Sequence, residues 1–171
     1  MNCLNLLNMA QKNLSQNNIL TFSLDSEILL AHALKINREK LLCNLEKKPS
    51  KIQVKLFEKL IILRMQKMPI AYIVNKKEFW KRSFGMNKSV LIPRPETELI
   101  VEKILKKINK YDRKNILDIG TGSGCILISI LLDRKNCKGT ALDISKSAIN
   151  TAKTNAKIQH VENRIAFINS D

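Results

Sequence analysis

The segment Leu117-Asp118-Ile119-Gly120-Thr121-Gly122-Ser123-Gly124 stands where one apolar run ends and another begins. Glycines in such a place allow a tight turn and let a ligand lie against bare main chain, and free amides at the start of a following helix favour a negative group. A dinucleotide fingerprint would need its third glycine at position 125, and that residue is Cys125. The spacing is GxGxG instead, with Asp118 just ahead of it. Asp143 closes the next apolar run, where a carboxylate can accept both hydroxyl protons of a ribose. Asp171 closes the run after that, placed to accept from an adenine amino group. S-adenosylmethionine has a carboxylate, an amino group and a sulfonium centre but no pyrophosphate, so it suits a glycine loop that opens with an acid. The candidate cofactor residues are therefore Asp118, Gly120, Thr121, Gly122, Ser123, Gly124, Asp143 and Asp171. The same residues also suit a plain tight connection in which the aspartates cap helices or strands.

Chemistry at these positions requires strands that end together. After Asp112 the pattern alternates: strand Asn115 to Ile119, helix Cys125 to Leu132, strand Gly139 to Asp143, helix Ala148 to Lys157 and strand Arg164 to Ser170. Such alternation implies an α/β fold with a parallel sheet. Ahead of it, Met1 to about Met68 carries apolar residues at spacings of three and four, as in a small helical bundle. Its last helix is expected to start with Ser50 as N-cap, to bury Val54, Phe57, Leu60, Ile61 and Met65, and to stop at Pro69. Between them, Tyr72-Ile73-Val74, Glu78-Phe79-Trp80 and Ser89-Val90-Leu91-Ile92 read as short strands forming a hairpin. Pro93 and Pro95 then lead into a helix from about Glu96 to Asn109, with Leu99, Ile100, Ile104 and Leu105 on one face. The expected domains are a helical unit at 1–69, a hairpin linker at 70–95 and a cofactor-binding part at 96–171.

The formal charge of +15 admits a polyanionic partner, but lysine, asparagine and isoleucine are all abundant, which tempers that inference. A nucleic-acid enzyme would need stacking aromatics among its basic residues, and aromatic content is only 5%. Cys3, Cys43, Cys125 and Cys137 fit neither a disulfide framework nor metal pairs, and no apolar run reaches the ~18 residues of a membrane span. His32 and His160 lie far apart, with His32 in an apolar helix as a core or boundary residue, so no metal centre is expected. A reducing cytoplasm is the expected location, with neither DNA nor membrane as partner.

Three stretches together resemble one family. Arg64 through Glu78-Phe79-Trp80, then Leu91-Ile92-Pro93-Arg94-Pro95-Glu96-Thr97-Glu98, then Asn115 through Gly124, are similar to the HemK/PrmC-type methyltransferases that act on a glutamine of peptide chain release factors. The Pro-Arg-Pro-Glu-Thr-Glu stretch is the discriminating one, since many methyltransferases share the glycine loop. The resemblance implies a Rossmann-like class I methyltransferase domain, here incomplete, preceded by a helical substrate-recognition bundle and a β-hairpin linker. It implies S-adenosylmethionine as methyl donor, a glutamine side-chain amide as acceptor, and release factors as partners in translation termination, with the ribosome as a further one. Arg94, Glu96 and Glu98 are then expected to cover the cofactor or shape the acceptor site, although acids at a helix start also suit the helix dipole. Ribosomal-protein glutamine is an alternative acceptor, and a non-catalytic binding remnant an alternative role.

The family's acceptor motif, Asn-Pro-Pro-Tyr, has no counterpart here: the prolines are Pro49, Pro69, Pro93 and Pro95. An amide nitrogen is a poor nucleophile that must be oriented by its neighbours, so no catalytic residue is assigned, and these residues alone are expected to give negligible transfer. Three strands without further neighbours are also expected to leave a sheet edge and apolar faces uncovered.

Overall fold

In the computed structural model, which describes all residues 1–171, the chain forms two compact units, Met1–Val74 and Asn75–Asp171. The first unit is helical: α1 (Cys3–Gln16), α2 (Phe22–Leu34), α3 (Arg38–Leu42), α4 (Lys51–Met65) and the single turn α5 (Ile70–Ile73). Its helix starts are written in side chains. Asn2 caps α1, Asn37 caps α3, and Ser50 with Gln53 makes a reciprocal capping box on α4. Leu6, Leu14, Leu29, Leu30, Leu41 and Phe57 are buried to 2% exposure or less and form the centre of its core. One ion pair sits at the edge of that core: Asp25 accepts from Arg64 at 2.7 Å and from the Thr21 hydroxyl at 2.7 Å.

Three expectations for this region need correction. Tyr72 and Ile73 belong to a helical turn that starts after Pro69, not to a strand; proline's fixed φ suits the entry to a helix as well as the end of one. Helix α4 stops at Met65, four residues before Pro69, and of its apolar residues Phe57, Leu60 and Ile61 are the buried ones. His32 is exposed, on the outward side of α2, while Ala31 and Ala33 beside it are buried.

The second unit opens with the antiparallel hairpin β1 (Lys76–Phe79) and β2 (Arg82–Gly85), turning at Trp80 and Lys81. Residues 89–92 form a turn and irregular chain instead of the expected strand; both strands of the hairpin come from 76–85. A 3₁₀ turn, Pro95–Thr97, leads into α6 (Glu98–Lys107). On α6 the buried residue is Val101, whereas Leu99 and Ile100 of the expected apolar face are exposed.

There follow β3 (Asn115–Ile119), α7 (Cys125–Asp133), β4 (Lys138–Asp143), α8 (Lys146–Ile158) and β5 (Ile165–Asn169). The three strands are parallel in the order β3-β4-β5, with Asp118 opposite Ala141 and Asp143 opposite Asn169. Helix α7 lies so close to the sheet that a Cβ on Gly139 would stand 2.6 Å from Leu127. The opposite side of the sheet is open, with Leu117 and Ile119 at 59% and 72% exposure and Ile168 at 44%. No helix is long and apolar enough to cross a membrane.

Candidate functional site

A parallel sheet brings the carboxyl ends of its strands to one edge, and the crevice there is the usual place for a ligand. The ends of β3 and β4 carry Asp118 and Asp143, and the connection from β3 to α7 is the glycine loop. Gly120, Gly122 and Gly124 take φ of 71°, 55° and 77°, the left-handed region that a side chain resists. They are glycines for different reasons. A Cβ on Gly120 would meet nothing within 4 Å, so the main chain there faces open space. A Cβ on Gly124 would meet Ile128 at 2.9 Å and Ala152 at 3.2 Å, so that glycine lets α7 and α8 close on the loop.

Four amides of the loop itself, ahead of the first turn of α7, are already satisfied within the protein. Gly120 and Thr121 both donate to the Leu142 carbonyl, at 2.8 and 3.0 Å, and Gly124 donates to the Thr121 carbonyl at 2.8 Å. Gly122 donates to Asp143 Oδ2 at 2.9 Å. With these four amides turned inward, the loop offers a ligand bare main chain and two carboxylates. That donor set disfavours phosphate.

Asp143 is 9% exposed, and its other oxygen, Oδ1, accepts from the Ser145 amide at 2.9 Å. Each carboxylate oxygen has a second acceptor position, so two remain for hydroxyl donors. Asp118 is half-buried and accepts from the Thr121 hydroxyl at 2.8 Å. Burial pushes its carboxyl above the ordinary aspartate range, against the Thr121 hydroxyl and the Leu127 amide, which favour the anion; the nearby Asp143 charge adds to the rise. Cys125, where a dinucleotide loop has glycine, is buried with its thiol pushed up by that burial, so it packs instead of reacting.

Hydrogen bonds and chain continuity therefore gather Asp118, Gly120, Thr121, Gly122, Ser123, Gly124 and Asp143 in one place. Asp171 is exposed two residues beyond β5, and its carbonyl accepts from the Ser170 hydroxyl at 3.2 Å. Arg94, just ahead of the 3₁₀ turn, and Glu96 on it are exposed. Glu98 is engaged elsewhere, accepting from the Trp80 amide at 2.8 Å at the hairpin turn.

Sequence reasoning missed Asn155 and Ser145. Asn155, 1% exposed on α8, donates to the Ser123 carbonyl at 2.8 Å, and Ser145 caps α8 while holding Asp143. The signal for Asn155 was present: Thr151, Asn155 and Gln159 form a polar stripe at spacing four beside Ala148, Ala152 and Ala156.

Comparison with known proteins bears on both units. Residues 5–74 match the model of the PrmC N-terminal domain, and residues 110–171 match that of a methyltransferase domain. The chain thus joins a segment similar to the PrmC N-terminal domain to one similar to a methyltransferase domain. Among similar proteins, the release factor glutamine methyltransferase of Leptospira interrogans serovar Lai is 41% identical over 98% of this chain and 59% of its own length. That of Nitratidesulfovibrio vulgaris is 39% identical, covering 86% of this chain and 50% of the relative. A bifunctional methyltransferase of Rickettsia bellii is 38% identical over 86% of this chain and 31% of the relative. The chain thus spans between 31% and 59% of the length of these three relatives.

Proposed function

We propose that this chain supplies the cofactor-holding part of an S-adenosylmethionine-dependent methyltransferase whose acceptor is the side-chain amide of a glutamine in peptide chain release factors. The observation that carries the cofactor reading is the pairing of Asp118 and Asp143 with a glycine loop whose amides are largely satisfied within the protein. A phosphate would meet carboxylates there, whereas an amino group and ribose hydroxyls would find acceptors. In this reading Asp143 receives the ribose hydroxyls, Asp118 favours the amino group, Gly120 gives the ligand room, and Asp171 lies at the strand end suited to the adenine amino group. When bound, S-adenosylmethionine supplies an electrophilic methyl group on its sulfonium. The chain's own residues hold and orient, and the Asp118 carboxylate adds a negative charge beside a cationic ligand.

The acceptor is proposed from kinship: two of the relatives just described carry the name release factor glutamine methyltransferase. Arg94, Glu96 and Glu98 are proposed to shape the acceptor side, with Glu98 acting through the Trp80 amide that it holds. The helical unit is proposed to engage the release factor, in a cytoplasmic setting, with the ribosome a further partner.

Calorimetric titration tests the cofactor reading. The folded chain is expected to bind S-adenosylmethionine saturably and NAD not at all. Asp143→Ala is expected to weaken binding by at least ~10-fold, since hydrogen bonds to charged groups contribute about 1.5–3 kcal/mol. A folded chain that takes NAD, or that binds S-adenosylmethionine as well without Asp143, refutes it.

A further inference from the structure

Helix α8 and its C-cap residue grip the hairpin and the chain just beyond it through three side chains on one stripe. Gln159 donates to the Ser83 carbonyl at 2.9 Å. Asn155 accepts from the Gly85 amide at 2.7 Å and donates to the Gly85 carbonyl at 3.1 Å. Thr151 accepts from the Asn87 side-chain amide at 2.8 Å. The match is metrical: four residues of helix rise about 6 Å, and two residues of extended chain advance about 6.6 Å. Side chains at spacing four along α8 and its C-cap can therefore meet chain positions at spacing two, 83, 85 and 87, satisfying backbone groups of β2 at the first two and a side chain at the third.

Asn155 differs from its two companions. Its Nδ2 also donates to the Ser123 carbonyl inside the glycine loop, so one buried amide touches the loop and the hairpin at once. A Cβ on Gly85 would come within 3.0 Å of Asn155 Oδ1, which explains why glycine stands at that point of the strand. Ser123 itself lies between two left-handed glycines, Gly122 and Gly124, and its carbonyl direction sets the orientation of the peptide that enters Gly124.

We infer that Asn155 is a positioning residue that ties the conformation of the glycine loop to the seating of the hairpin, so that disturbing the hairpin at Gly85 lowers affinity for the cofactor. The inference rests on the cofactor reading above. Neither end of the bridge is a charge, so the coupling acts through geometry: with Asn155 gone, the Ser123 carbonyl is a buried acceptor without its donor and the loop relaxes away from its bound shape. Gln159 holds the same hairpin without reaching the loop, which makes it the comparison that a purely structural role would not separate.

The experiment measures S-adenosylmethionine affinity by calorimetry and backbone hydrogen exchange over residues 82–87 and 120–124, in the full chain and its Asn155→Ala, Gly85→Ala and Gln159→Ala variants. Asn155→Ala is expected to weaken binding about tenfold, the equivalent of one buried hydrogen bond, and to speed exchange in both segments. Gln159→Ala is expected to speed exchange in 82–87 alone and to leave affinity within about twofold. Gly85→Ala, whose methyl displaces the Asn155 amide from the hairpin side, carries the test if Asn155→Ala does not fold, and is expected to weaken binding as Asn155→Ala does. Unchanged affinity in both, or an equal loss in Gln159→Ala, overturns the inference. If the unaltered folded chain fails to bind S-adenosylmethionine, the cofactor reading falls instead, and the exchange data still decide the bridge: acceleration confined to 82–87 in Asn155→Ala refutes it.

Discussion

Replacing Gly120 or Gly124 with alanine separates a glycine that makes room for a ligand from one that makes room for a helix. Both have positive φ, 71° and 77°, so any side chain at either costs about 1–2 kcal/mol in backbone strain. At Gly120 the new methyl meets nothing within 4 Å, and strain is the whole stability cost. At Gly124 it would stand 2.9 Å from Ile128 Cδ1, 3.2 Å from Ala152 Cβ and 3.4 Å from Ala152 Cα. Ile128 can shift but the α8 backbone cannot, and overpacking of this kind adds about 1–3 kcal/mol. Gly124→Ala should therefore lose about 2–5 kcal/mol against about 1–2 for Gly120→Ala. At roughly 4–8 °C per kcal/mol for a unit of this size, the overpacking difference of about 1–3 kcal/mol should place the two thermal midpoints at least about 4 °C apart. Affinity should rank the other way for its size of structural damage. On the proposed reading the Gly120 methyl enters the space that the cofactor needs and should weaken S-adenosylmethionine binding by ~10-fold or more, a loss of at least about 1.4 kcal/mol. If Gly120→Ala binds like the unaltered chain, the ligand does not lie against this peptide. If the two variants melt together, the packing account of Gly124 is wrong.

Asp118→Asn should stabilise the unliganded chain at neutral pH and weaken cofactor binding. Its carboxyl is held above the ordinary aspartate range, so the folded chain binds this proton more tightly than the unfolded one; stability falls as pH rises through that window and stays lower above it. Denaturant melts at pH 7 and below pH 4 check this, and destabilisation of the asparagine variant at pH 7 would refute it. In the helical unit, Arg64→Ala strands Asp25, whose side chain is 6% exposed, and should cost about 3–5 kcal/mol; a loss under ~1 kcal/mol in urea unfolding would show the pair to be dispensable.

The glycine loop, the strand-helix alternation after Asp112 and the Ser50 cap were legible because each rests on local backbone demands: left-handed turns, periodicity and an unsatisfied helix amide. The hairpin was legible only in part. Its turn uses Trp80 and Lys81 with φ of 49° and 60°, a two-residue turn that normally calls for asparagine and glycine. Nothing local marks it. It is held from a distance, by Glu98 on the Trp80 amide and by Asp133, which accepts from the Trp80 indole at 2.8 Å and from Arg82 at 3.0 Å. Likewise Ile70–Ile73 has strand-forming residues but no strand to pair with, and it closes as a helical turn in which the Ile73 amide reaches the Pro69 carbonyl. Asn155 was hidden for the same reason: its two partner residues, Ser123 and Gly85, lie 32 and 70 residues away, and only its spacing from Thr151 and Gln159 hinted at a shared face.

The distribution of charge sharpens the choice of ligand. A chain with a formal net charge of +15 attracts anions generally, yet the loop at its strand ends gathers two carboxylates and turns four of its amides inward. Burying Asp118 costs stability in the unliganded chain, and a loop built only to join β3 to α7 could have used asparagine, which keeps the acceptor for Thr121 without the charge. A ligand that carries positive charge into the crevice offsets that cost, because it favours the ionised carboxylate that burial disfavours. A phosphate ligand would increase it. On the proposed reading the acid belongs to the binding site: it is unfavourable to the fold by itself and favourable once a cationic nucleoside such as S-adenosylmethionine lies beside Gly120.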